Sequence, residues 1–159
     1  MKQITLARML QGIAVLAALL VLLLAVVVLP TLADEMVRSF PEYQRLRWPC
    51  LSFFWLSALP LFYALLLAWR IFADIGRDRS FCAENAARLA RIGRLALLEC
   101  GWYAAGIAIL SVLRLFNPGL LLAGLAVVFA ALAVATVAAA LSYLVGKAVR
   151  LQQENDLTI

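Results

Sequence analysis

Polar positions in this chain are gathered into short islands, and four long apolar stretches run between them. Residues 6–29 (LARMLQGIAVLAALLVLLLAVVVL), 51–69 (LSFFWLSALPLFYALLLAW), 95–113 (LALLECGWYAAGIAILSVL) and 120–146 (LLLAGLAVVFAALAVATVAAALSYLVG) carry almost no charge. About 20 apolar residues wound as an α-helix cross the roughly 30 Å hydrocarbon layer of a bilayer. The pattern therefore predicts an all-α, four-transmembrane-helix bundle, a single integral membrane domain over residues 1–159. Composition excludes the soluble alternative. The chain is 66% hydrophobic and 14% charged, against about 45–50% apolar residues in soluble domains.

The islands give direction. Lys2, Arg8, Arg70, Arg77, Arg79, Arg88, Arg91, Arg94, Lys147 and Arg150 fall on one side of the four crossings, and Arg38, Arg45, Arg47 and Arg114 on the other. Basic residues are retained in the cytosol. Both termini, a loop and helix at 74–94, and a tail at 147–159 are thus expected to be cytoplasmic. The first run resembles a signal peptide, but a secretory core is only about 7–15 residues long. It is read as an uncleaved span.

Local punctuation adds detail. The first span is expected to stop at Pro30, and "FPEYQRLRWP" in the outer 30–50 loop to form a short interfacial helix. "RLFNPG" between spans three and four predicts a type II turn, with Pro118 at its second position and a positive φ for Gly119 at its third. Pro60 is expected to kink span two. Aromatic belts are expected from Trp48, Phe53, Trp55 and Phe116 outside, and from Trp69, Phe72 and Tyr143 inside. Rows of small residues are expected to pack helix on helix: Ala131, Ala135, Ala139; Ala138, Ser142, Gly146; Gly101, Ala105; and Ala14, Ala18.

Candidate chemistry is sparse. There is no histidine, and Cys50, Cys82 and Cys100 form no CxxC pair. No disulfide is expected, because the topology gives no two of them a shared oxidising compartment. No catalytic constellation, cofactor site or metal site is expected, and the protein is read as not an enzyme.

"GRDRSFCAENAARLARIGRL" (76–95) stands out against this background. Leu89, Ile92 and Leu95 or Ala96 mark an apolar stripe, while Arg88, Arg91 and Arg94 spread over a neighbouring arc. Glu84 precedes Arg88 by four residues, the favourable order for a helical ion pair. One helix is expected from about 82 to 114, with its first turns along or above the inner surface and Phe81 packed back onto the bundle. The segment suits attraction to anionic headgroups or docking of a cytosolic protein. Direct nucleic-acid binding is disfavoured, because Asp74, Asp78 and Glu84 offset its arginines. At the other end, "LQQENDLTI" should let the fourth helix run past Arg150 and stop near Asn155–Asp156. Leu157 and Ile159 then either fray or anchor against the 81–95 helix or in a partner's groove.

These two stretches carry a resemblance. "SFCAENAARLARIG" (Phe81, Glu84, Asn85, Leu89, Ile92), with the terminal "ENDLTI" (Glu154, Asn155, Asp156, Leu157, Thr158, Ile159), is similar to the bacterial membrane family DUF2975. The four-span layout agrees over nearly the whole chain. The family usually has Ser or Thr where Cys82 stands, so Ser80 is expected to take over the helix cap. The resemblance brings no established activity. Many members are encoded beside a small helix-turn-helix regulator, which implies a membrane protein that sequesters or senses for a transcription factor.

Glu99 is an acid inside an apolar run, a functional-site candidate by default. Read from its own span it lies about one turn from the inner boundary, and it is expected either to reach the headgroups or pair with Arg70, Arg94 or Lys147, or to serve as a proton or ligand site. The leading reading is a non-enzymatic bacterial inner-membrane protein that binds a cytosolic partner such as a small helix-turn-helix regulator. The candidate contact residues are Phe81, Glu84, Asn85, Arg88, Arg91, Glu154, Asn155, Asp156, Leu157 and Ile159. The alternatives are a small proton-coupled transporter or export helper using Glu99, or an immunity-type membrane protein. Association of several copies is left open.

Overall fold

The computed structural model describes residues 3–114 and 118–156, and among these it is helical apart from short turns, with no strand. Helix α1 (Gln3–Leu23) passes through a π-helical turn (Leu24–Val28) into α2 (Leu29–Ser39). A 3₁₀ segment (Pro41–Leu46) leads to α3 (Arg47–Gly76), which is followed by α4 (Ala83–Val112) and α5 (Pro118–Asp156). Four helical units are long and apolar enough to cross a membrane, the first of them Ile4–Ser39.

The first span does not end at Pro30. A proline in a helix lacks the N–H that should bond the carbonyl four residues back, and here the chain widens to a π-helical turn just before it, with Leu29 N–H donating to the Leu24 carbonyl. In that pattern the next donor would be Pro30, which has none, so the Ala25 carbonyl is left over. The Trp55 indole N–H of α3 donates to it at 2.9 Å. A carbonyl released by proline has been satisfied from a neighbouring helix, as lipid requires. The short helix expected within "FPEYQRLRWP" is present as the 3₁₀ segment.

Each helix runs antiparallel to the next, and paired residues fix the register. Between α1–α2 and α3, Ala7 meets Gly76, Ala25 meets Trp55, and Asp34 pairs with Arg47 at 2.5 Å. Between α3 and α4, Phe53 packs on Gly106, Ser57 meets Tyr103, and Asp74 pairs with Arg88. Between α4 and α5, Ser142 Oγ donates to the Ala86 carbonyl at 2.8 Å, Gly93 abuts Ala135 and Ala138, and Gly124 abuts Ile107. The start of α1 and the far part of α5 consequently lie at the same end of the molecule.

The helices form a row in chain order. Among the described residues, no Cα of α1 comes within 8 Å of α4 or α5, and none of α3 comes within 8 Å of α5. The accessible surface is 11196 Å², where a compact soluble protein of 17.4 kDa would expose about 7,900 Å². The excess is apolar and lipid-facing: Leu16, Leu59, Val112, Leu122 and Phe129 all point outward, Phe129 with 76% of its surface exposed.

Small residues carry the packing, as expected where lipid tails compete with leucine. Ala7, Ala14, Ala96, Ala135 and Ala138 are buried. Other expected positions do not pack in this way: Gly101, Ala105 and Ala139 are exposed, and nothing lies within 4 Å of where a Cβ on Gly101 or Gly146 would stand. On α4 the contact with α3 is formed instead by Trp102, Tyr103 and Gly106.

The type II turn expected between the third and fourth spans is corrected. Pro118 opens α5, where its fixed φ suits the first helical turn, and Gly119 is helical with no positive φ. The left-handed residue is Arg114 (φ 55°), just past the end of α4. Leu115, Phe116 and Asn117 lie outside the described residues. Phe53 and Trp55 both make contacts between helices, and Trp55 keeps 44% of its surface exposed. Pro60 sits inside an unbroken α3.

Candidate functional site

Two places hold polar groups against the apolar background. The first is the corner joining α3 to α4. Asp74, in the last turns of α3, is 7% exposed, and its carboxylate takes the Arg88 guanidinium of α4 and, at 3.7 Å, that of Arg79. Arg88 also donates to Asn85 Oδ1 at 2.8 Å and lies 3.5 Å from Glu84, the expected i,i+4 pair. Asn85 is 1% exposed, and its amide donates to the carbonyls of Arg79 (3.2 Å) and Ser80 (3.3 Å). The loop 77–82, with left-handed Asp78 (φ 59°), is thereby tied to both helices.

This corner redistributes the sequence candidates. Asn85 and Arg88 are spent inside the protein. Phe81 does not pack back onto the helices: it is 63% exposed at the tip of the locked loop. Glu84 and Arg91 are exposed. The N-cap of α4 is Cys82, in extended backbone with no side-chain cap bond, and Ser80 contributes its carbonyl to Asn85 rather than a cap. Glu154 and Asn155 are exposed on the last turn of α5, which ends at Asp156 as expected. Leu157, Thr158 and Ile159 lie outside the described residues.

The expected single helix over about 82–114 is α4. Its first turns do not stand apart from the row. Ala86 is level with Ser142, and Gly93 with Ala135 and Ala138, so the Arg91–Arg94 turn lies beside the uncharged part of α5.

The second place is Glu99. Register puts it opposite Pro60 of α3 and near Ala130 of α5, close to the centres of the charge-free runs of both helices. Its depth is therefore greater than α4 alone implies, since only α4 brings arginines so close to its own span. Among the described residues no Lys or Arg pairs with it. Arg94, five residues away, points about 140° around the helix. Arg70 lies ten residues beyond Pro60, about 15 Å along α3, and Lys147 lies farther still.

The neighbours of Glu99 are instead polar groups the sequence reading passed over. The Ser57 hydroxyl is 3.0 Å from the Tyr103 hydroxyl, and Ser57 also faces the Glu99 carboxyl. Trp102 stacks on Phe53 (centroids 5.0 Å apart, planes 18° from parallel) and donates to the Phe53 carbonyl at 3.3 Å. A groove of about 350 Å³ opens here between α3 and α4, lined by Ser57, Pro60, Tyr63, Leu98, Glu99 and Trp102 among others. Glu99 Oε1 is sealed from contact and has no hydrogen-bond partner. Helical spacing could have flagged the cluster, since Glu99, Trp102, Tyr103 and Gly106 share one face of α4.

Among the described residues no three Cys, Asp or Glu side chains could hold a metal ion, and Cys50, Cys82 and Cys100 are free thiols.

Comparison with known proteins agrees with this architecture. The chain is 26% identical over 147 residues to the uncharacterized membrane protein YoaS of Bacillus subtilis (strain 168), covering 91% of this chain and 92% of that one. No solved structure matches. The family model of DUF2975, a protein family of unknown function, matches residues 31–159, which takes in the α3–α4 corner, Glu99 and the last helix. The chain is a member of the DUF2975 family of membrane proteins.

Proposed function

We propose that this is a non-catalytic protein of the bacterial cytoplasmic membrane, with both ends in the cytosol, whose inner end presents a fixed surface to a cytosolic protein. The observation that carries the reading is Phe81, a large aromatic held 63% exposed on a loop immobilised by Asn85, Asp74 and Arg88. Ordering a loop before binding removes part of the entropy that association costs, and aromatic side chains dominate the energetics of protein contacts. Arg77 and Arg79 are exposed on the same loop. The part of α5 beyond Lys147 reaches past the start of α4, with Leu151 56% exposed. Family resemblance makes a small helix-turn-helix regulator the expected partner.

The test is direct binding, to the detergent-solubilised protein, of a purified small helix-turn-helix regulator of the kind encoded beside members of the family. Wild type is expected to bind it, and Phe81→Ser to weaken binding about tenfold or more, the loss of 1.4 kcal/mol or more that a central aromatic contact supplies. Equal binding by both, or none by wild type, overturns the proposal.

A further inference from the structure

We propose that the groove beside Glu99 is a binding site for a lipophilic organic cation. The inference stands apart from the docking surface at the inner end, and either can fail without the other. Three observations meet in this groove.

The first is charge. Glu99 is level with the middle of the charge-free runs of α3 and α5, and among the described residues no basic side chain pairs with it. A carboxylate held in hydrocarbon is costly unless a proton or another positive charge compensates it. Oε1 is shielded and has no hydrogen-bond partner among the described residues, while the Glu99 side chain lines the groove. An occupant that brings a cation would supply the missing charge.

The second is shape. The groove has a volume of about 350 Å³, at the small end of the roughly 300–1,000 Å³ typical of ligand pockets. Its walls are Leu56, Leu59, Pro60, Leu95 and Leu98, which suit an apolar body rather than a hydrated ion. Among the described residues the groove is lined from α3 and α4 alone. It can fill from the bilayer, where lipophilic cations partition.

The third is the aromatic pair. Tyr63 and Trp102 both line the groove, and the face of an indole or phenol attracts organic cations. Trp102 is held by its stack on Phe53 and its bond to the Phe53 carbonyl, so the ring is positioned before any ligand arrives. An acyl chain could enter the same groove, but it would leave Glu99 uncompensated.

Tetraphenylphosphonium is the probe, a fixed cation with four apolar rings. Equilibrium dialysis with the full chain in neutral detergent is expected to show saturable, single-site binding. Glu99→Gln should lower the affinity about tenfold or more. Tetraphenylborate, matched in size but negative, should not bind. Ligand binding should quench fluorescence in wild type and leave Trp102→Phe unchanged. Equal affinity of wild type and Glu99→Gln overturns the proposal, as does equal uptake of the anion. Should Glu99→Gln fail to fold, Leu59→Trp fills the groove from its other wall. Lost binding in that variant supports the site, and undiminished binding overturns it.

Discussion

Asp74 and Arg88, on different helices, form an ion pair that closes the α3–α4 corner, with side chains 11% and 21% exposed. Because the pair is mostly shielded from water, removing one partner strands the other. Asp74→Asn or Arg88→Met is expected to destabilise the protein by about 2–3 kcal/mol, below the roughly 3–5 kcal/mol of a fully buried pair because Arg88 keeps some solvent. The double variant should cost clearly less than the two single losses added together. Thermal unfolding in detergent, followed by circular dichroism, checks both expectations.

The bond from Trp55 to the Ala25 carbonyl exists because Pro30 cannot donate. Trp55→Phe is therefore expected to cost about 1 kcal/mol, in the range found for hydrogen bonds between membrane helices. In a Pro30→Ala background the residue at 30 can donate within its own helix. Trp55→Phe should then cost markedly less. A double-mutant cycle on unfolding in detergent measures the difference, and equal costs in both backgrounds would refute the link between the proline and the tryptophan.

Gly106 is set by Phe53. A Cβ there would lie 2.7 Å from the phenyl Cζ, and the ring cannot easily give way, since its face is stacked on Trp102. Gly106→Ala should cost about 1–3 kcal/mol, the usual range for overpacking. Phe53→Leu in the same chain should return part of that loss. By contrast Gly101→Ala, with open space at the position, should be neutral or slightly stabilising, since alanine favours helix more than glycine does.

Much of the architecture was legible because lipid imposes simple rules. Runs of apolar residues gave four spans, helical spacing gave α4 as one element through the arginine-rich stretch, and Asn155–Asp156 marked the end of α5. What could not be read was register between helices. The depth of Glu99 depends on Pro60 and Ala130, residues on other elements, and its own sequence neighbours suggest a shallower place. Asp74 looked like one more surface charge until Arg88 met it. Pro30 was misread for a related reason: a proline terminates a helix only if nothing nearby satisfies the freed carbonyl, and Trp55, thirty residues on, does so. The α3–α4 motif was visible, but as a display surface. Its asparagine and first arginine instead hold the loop from within, leaving Phe81 outermost.

The account depends on one end of the row, where the α3–α4 loop and the tail of α5 lie together, facing the cytosol. In a chain with its native cysteines replaced by serine, Arg77→Cys and Gln152→Cys place single thiols at two exposed positions of that end. A membrane-impermeant maleimide should label both in inside-out vesicles and neither in intact spheroplasts. Labelling of either thiol from outside, or of the two from opposite compartments, would contradict the account.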